Sequence, residues 1–390
     1  MDVQGPASAR TLRKAIMKIA FRTDASLQMG SGHVMRCLTL ADALKAKGAS
    51  CCFICREHPG HLLDLIRQRG HEAIGLPATI PSGPTERAVA DETKLAHAAW
   101  LGTDWRNDAA QTLTALQGEL TDWLVIDHYA LDAGWERVLR PACRKLMVID
   151  DLADRAHRCD LLLDQNWFGD DTPTRYRNLV PPHCKCHLGP EYALLKPEYA
   201  QLRESMPLRD GTVRRVLVSL GGSDPTNQTS KVLEALMQPS FAHLQVDVVI
   251  GQNHPDVEGI AAQAAARSGT TLHQSLPTLA HLMSRADLMI SAGGSTTWER
   301  MCLGLPAIVI SVAANQTSTN VALMNAGYID FLGEMREVSA SNIADAVQRS
   351  LANPKELRMQ SGLGQKLVPG VGASVLCEQL LKDNWVQDAT

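Results

Sequence analysis

A histidine that directly follows a glycine pair is the sharpest chemical signal in the chain. Gly30-Ser31-Gly32-His33 falls between an apolar run, Ile16 to Phe21, and a stretch, Met35 to Leu44, whose apolar residues recur at helical spacing before Gly48. The turn therefore joins a strand to a helix start. Gly30 and Gly32 let the backbone approach a ligand closely, and free amides at a helix N-terminus attract phosphate. The helix dipole disfavours an imidazolium, so His33 is left neutral and able to accept a proton, as a general base must. The plainer alternative is a histidine that only caps the turn. Arg36, at i+3 from His33, shares its side of the helix and could hold a phosphate or a carboxylate. Arg22 and Asp24, at the end of the strand, either line the same site or form a structural ion pair.

A second set of polar residues lies in the other half. Gly221-Gly222-Ser223-Asp224 and Ala292-Gly293-Gly294-Ser295-Thr296 each follow an apolar run and open a helix. Two such turns in one domain would present two clusters of backbone amides to one ligand. Ser295, Thr296 and Thr297 add hydroxyls. Glu299 sits in the first turn of its helix, where a carboxylate caps amides or takes both hydroxyls of a ribose. Asn315, Gln316 and Asn320 open a further helix and could reach sugar hydroxyls, or serve as ordinary caps.

These residues need a sheet edge to stand on, and the chain supplies the pattern. Strands expected at 50–55, 123–127, 145–149 and 160–163 alternate with amphipathic segments, such as Asn107 to Leu120 with Leu113, Leu116 and Leu120 on one stripe. This is the rhythm of a mostly parallel sheet. Open parallel sheets place ligands just past the carboxyl ends of their strands. Asp127, His128, Tyr129, Asp150, Asp151 and Asn166 all stand there; Asp150 and Asp151 read first as helix caps. The polar, proline-containing segment 196–211 separates this sheet from a second one with strands at 215–220, 246–250, 287–291 and 307–310. The expected organisation is an N-terminal extension (1–15), a first domain (16–195), a linker (196–211) and a second domain (212–390). Residues 76–84 read as a loop.

Composition narrows the classes. A chain of 390 residues with 45% hydrophobic and 21% charged content can bury more than one core. A formal net charge of −4 gives no electrostatic case for nucleic acid or an anionic membrane. No stretch reaches the roughly 18 apolar residues of a membrane span, and the basic N-terminus lacks a signal-peptide core, so a cytoplasmic location is expected. The ten cysteines fall on apolar runs, where reduced thiols pack as small hydrophobes. His183-Cys184-Lys185-Cys186-His187 would split its thiols and imidazoles between two faces of a strand, so no metal is assigned.

SAGGSTTWERMCLGLPAIVI and NQTSTNVALMNAG resemble the nucleotide-sugar half of the GT-B superfamily. RTDASLQMGSGHVMRCLTLADAL, VIDHYALD, VIDDLADRAHRCDLLLDQN, LGPEYALLKPEY and VLVSLGGSDPTN resemble the UDP-sugar hydrolases of pseudaminic acid biosynthesis, over about residues 16–381. The extra N-terminus and the VPGVGAS segment depart from that family's pattern. The resemblance implies an α/β GT-B fold, two Rossmann-like domains with parallel sheets facing a central cleft. It implies hydrolysis of UDP-2,4-diacetamido-2,4,6-trideoxy-β-L-altropyranose by a monomer, with UDP-sugar and water as the only partners and no cofactor. His33 would be the base and Tyr129 would face the sugar. Glu299 would hold the ribose, Gly293, Gly294, Ser295 and Thr296 the diphosphate, and Asn315, Gln316 and Asn320 the nucleotide sugar; Arg22, Asp24, Gly30, Gly32, Arg36 and Gly222 complete the expected site. A GT-B glycosyltransferase and a non-catalytic nucleotide-sugar sensor are the alternatives. The first needs an acceptor groove, and the second has no use for His33.

Overall fold

The structure, a computed structural model, describes residues 16–78, 95–222, 224–252 and 254–382. The N-terminal extension, most of the 76–84 loop and Ser223 lie outside the described residues. Two parallel sheets carry the chain. The first has the order β3-β2-β1-β4-β5-β6-β7, built from Lys18–Thr23 (β1), Ser50–Arg56 (β2), Glu72–Leu76 (β3), Thr121–Asp127 (β4), Cys143–Ile149 (β5), Leu161–Asp164 (β6) and Lys185–Leu188 (β7). The second has the order β10-β9-β8-β11-β12-β13, from Arg215–Ser219 (β8), Gln245–Ile250 (β9), Thr270–Gln274 (β10), Leu288–Ala292 (β11), Ala307–Ser311 (β12) and Asp330–Glu334 (β13).

The central strands are buried over most of their length because helices cover both faces, as β4 shows with six of its seven residues buried. Edge strands bury less and signal less. β3, β10 and β13 are half-exposed over most of their length and read from the sequence as nothing in particular. The helix expected to run to Leu120 stops at Ala115, since Gln117 and Gly118 both take positive φ; Leu120 is left 48% exposed. All ten cysteines are free.

The segment 196–211 contains a helix, Pro197–Ser205, that puts Tyr199 into the core of the second sheet beside Trp298 and Met301. At the other end, helix Gly372–Lys382 returns to the first sheet. Its Ala373, Leu376, Cys377 and Leu380 join the core around the helix Gly32–Ala46 (α1), and Trp123 Nε1 donates to the Leu380 carbonyl at 3.2 Å. Gly372, inside the departing VPGVGAS stretch, sits so close to the Tyr192 and Ala193 backbone that any Cβ would collide with it. The chain therefore crosses between the two sheets twice.

Candidate functional site

In each sheet the strand order reverses beside the first strand, between β1 and β4 and between β8 and β11. Such switch points open a crevice at the carboxyl ends of the strands. In the first sheet the crevice holds the β1–α1 turn and the residues after β4. Gly30, with φ 77°, closes a turn on the Ser26 carbonyl (2.8 Å), and α1 begins at Gly32. His33 is thus carried on the first turn of a helix whose far side is locked in the core.

His33 Nδ1 lies 2.6 Å from Asp127 Oδ1 at the end of β4. Asp127 is fully buried, which by itself raises its pKa, but Arg36 and then His33 outweigh that and hold it well below the usual carboxylate range. An ionised carboxylate can only accept, so Nδ1 donates to it, and the basic nitrogen of the neutral tautomer is Nε2. Arg36, which could hold a phosphate or a carboxylate and lines both cavities of the cleft, bonds carboxylates of the protein. Its Nε and Nη2 reach Asp127 at 2.6 and 2.7 Å, and its Nη1 reaches Asp151 at 2.8 Å. Tyr129 donates its hydroxyl to the same Asp151 at 2.8 Å and meets the His33 ring edge-on at 4.6 Å. The sequence could not connect His33 with Asp127 and Asp151, which lie far along the chain; only the strand-end rule pointed to those acids.

Two adjoining cavities run through the cleft. One, of about 330 Å³, is lined by His33, Tyr129 and Asp151 from the first half and by Gly293, Gly294 and Gln316 from the second. Asn315 and Ser295 share its wall. The other, of about 210 Å³, is lined by Gly32, Thr296 and Glu299 together with Lys196, Tyr199 and Leu276 to Leu279, none of which the sequence singled out. Glu299 is half-buried and its pKa is pushed up to about 7 by burial, against a hydrogen bond from Tyr199 and the charge of Lys196.

Five expected site residues line neither cavity; one of them, Gly30, only shapes the turn before α1. Arg22 and Asp24 are fully buried in an ion network: Arg22 reaches Asp24 at 2.7 Å and Asp108 at 2.6 Å, and Asp108 also takes Arg56 at 2.6 Å. With every charge matched below the surface, this pair is structural. Asn320 is fully buried; its Nδ2 donates to Ser311 Oγ at 2.9 Å, and its side chain fills the space where a Cβ on Gly293 would stand. Gly222 lines neither cavity and packs its carbonyl against Gly251. The neighbouring Asp224 caps the helix Gln228–Leu236 through the amides of Gln228 and Thr229. The paired acids do not cap a helix, because none follows β5 before β6: Asp150 is a buried partner of Arg155 and Tyr176, while Asp151 lines the cavity.

The whole chain superposes on the crystal structure of Acinetobacter baumannii MurG with a TM-score of 0.59 at 15% identity, over 94% of this chain and 99% of that one. The chain has the GT-B fold. Residues 216–367 match the model of the glycosyltransferase family 28 C-terminal domain, so the family match covers most of the second half of this GT-B chain. The spore coat polysaccharide biosynthesis protein SpsG of Bacillus subtilis is 30% identical over 55% of this chain and 63% of its own length. The UDP-2,4-diacetamido-2,4,6-trideoxy-beta-L-altropyranose hydrolase of Campylobacter jejuni is 24% identical over 80% of this chain and 98% of its own. An uncharacterized protein of Methanocaldococcus jannaschii is 24% identical over 75% of this chain and 55% of its own, so the chain spans less than two thirds of two of these relatives. Among the described residues no helix is long and apolar enough to cross a membrane.

Proposed function

We propose that the protein hydrolyses a UDP-linked 2,4-diacetamido-2,4,6-trideoxy sugar, the altro isomer that the Campylobacter jejuni relative's name specifies, to the free sugar and UDP. One observation carries the reading: the His33–Asp127 pair opens onto a cavity whose opposite wall is the Gly293–Ser295 turn. In this reading the uridine lies beside Glu299 and the diphosphate at the glycine turn, while the sugar extends toward His33. A water gives its proton to His33 Nε2 as its oxygen bonds to the anomeric carbon. The bond from that carbon to the β-phosphate oxygen breaks, and UDP leaves as an anion. Asp127 orients the imidazole and stabilises the imidazolium as it forms. Backbone amides can neutralise the leaving group without a metal, so activity is expected to survive EDTA.

The test is incubation of the purified protein with a panel of UDP-sugars in plain buffer, following UDP release by chromatography. Release without any acceptor supports hydrolysis. Release only when a sugar or lipid alcohol is added would establish transfer, the second reading, which the match to a glycosyltransferase C-terminal domain favours.

A further inference from the structure

The first-half wall of the larger cavity carries an aromatic cluster beside Arg36 and Asp151, and the proposed chemistry makes no use of most of that cluster. The 3₁₀ turn Ala98–Leu101 brings His97 and Trp100 against Tyr129. Trp100 stacks on Tyr129 at 5.8 Å between centroids and 29° between planes; His97 meets Tyr129 at 5.2 Å and Trp100 at 4.5 Å. Burial lowers the pKa of His97, which favours the uncharged ring. Tyr129 has committed its hydroxyl to Asp151, which leaves its ring. The turn is fixed from behind: Leu101 is buried in the core, and Gly102 ends it at φ 72° with no room for a side chain beside His58 and Arg56. His33 adjoins these rings, so whatever meets the base also meets the wall.

The cavity also holds carboxamides. Gln165 and Asn166 line it, and the Gln165 Oε1 is occupied by the Leu194 amide at 3.2 Å, so Gln165 offers its Nε2 hydrogens as donors. Rings and carboxamide donors in one cavity suit a group that is itself two-sided, with a carbonyl at one end and a methyl at the other. An acetamido group has that form. The rings suit its methyl and the carboxamide hydrogens its carbonyl.

We infer that Trp100, with His97 and Tyr129, is the specificity-determining wall of the site and selects sugars with an acetamido group over those with a hydroxyl in its place. The inference rests on the UDP-sugar reading above and deepens it. Trp100 touches no reacting atom; its effect is on which sugar is held against His33.

Calorimetry and turnover are to be measured on three ligands: the UDP-linked 2,4-diacetamido-2,4,6-trideoxy sugar, UDP-N-acetylglucosamine and UDP-glucose. Replacing the acetamido group by a hydroxyl, from UDP-N-acetylglucosamine to UDP-glucose, is expected to lower affinity and kcat/KM of the natural protein by about tenfold or more. Trp100→Ala should bring these two within a fewfold of each other and leave the affinity for UDP alone unchanged. Trp100→Phe, which keeps an aromatic face, should retain the ranking, and Trp100→Gln, which keeps bulk without one, should lose it. An equal loss on all three sugars in Trp100→Gln, or a ranking that survives it, overturns the inference. If no sugar turns over, the hydrolase reading fails, but the three binding constants still decide whether the wall discriminates.

Discussion

At the scale of single residues, the arrangement turns on one hydrogen bond, from His33 Nδ1 to Asp127. If Asp127 fixes the tautomer, Asp127→Asn should lower turnover by about 10²–10⁴-fold and leave UDP affinity nearly unchanged, since Asp127 itself lines neither cavity. Steady-state rates beside UDP calorimetry check this, and a variant at the wild-type rate would remove Asp127 from the mechanism. Glu299 gives a pH prediction. Its raised pKa means that burial favours the neutral acid, so its contribution to the stability of the free protein is present at low pH and lost as pH rises toward about 7. A carboxylate that accepts two ribose hydroxyls must instead be ionised. Uridine, which has no phosphate to titrate, should therefore bind about tenfold more tightly at pH 8 than at pH 6, and Glu299→Gln should flatten the profile. A flat profile in the natural protein would place the ribose elsewhere. Residue types in the sequence marked His33 and Glu299 as chemical, but Arg36 looked equally free. Its three short bonds to Asp127 and Asp151 are long-range facts that no local pattern carries.

At the scale of elements, the legible parts are those where a buried strand runs into a glycine turn. β4, β5, β8, β11 and β12 stood out as apolar runs, and the positions at or past the ends of β4, β5 and β11 gave Asp127, Tyr129, Asp151 and Gly293 together. His97 and Trp100 escaped notice because they ride on a short 3₁₀ turn with no periodicity to reveal it. Gly222 and Asn320 misled in the opposite direction, since a glycine or an amide at a helix start looks the same whether it meets a ligand or another part of the protein. Asn320 still matters to the site, because it fills the space beside Gly293 and so fixes the path of the turn. Gly293→Ala should thus drive the new methyl into Asn320, displace the turn and cost UDP affinity at least tenfold, with a loss of stability of about 1–3 kcal/mol from overpacking. Denaturant unfolding and calorimetry read the two effects; unchanged UDP binding would mean that the turn does not hold the diphosphate.

At the scale of the whole molecule, the two halves are held by a chain that crosses over after the first sheet and returns through Gly372. Leu376 is fully buried on the returning helix, so Leu376→Ala should destabilise the protein by about 2–5 kcal/mol in urea unfolding, and a negligible change would mean that the helix is not docked. This arrangement also bears on which bond breaks. His33 belongs to the first half, and the Gly293–Ser295 turn that would grip the diphosphate belongs to the second, with one cavity between them. A base on the sugar side activates water against carbon, and the diphosphate stays on its own side and leaves whole. Hydrolysis in ¹⁸O-water should accordingly put the label in the released sugar and none in UDP, and the sugar should first appear with inverted anomeric configuration. Mass spectrometry of both products and early NMR spectra of the sugar read this out. Label in the UDP phosphate would mean attack at phosphorus, with the base on the diphosphate side, and retained configuration would mean two displacements at carbon, for which a nucleophile beside the anomeric position would have to be found.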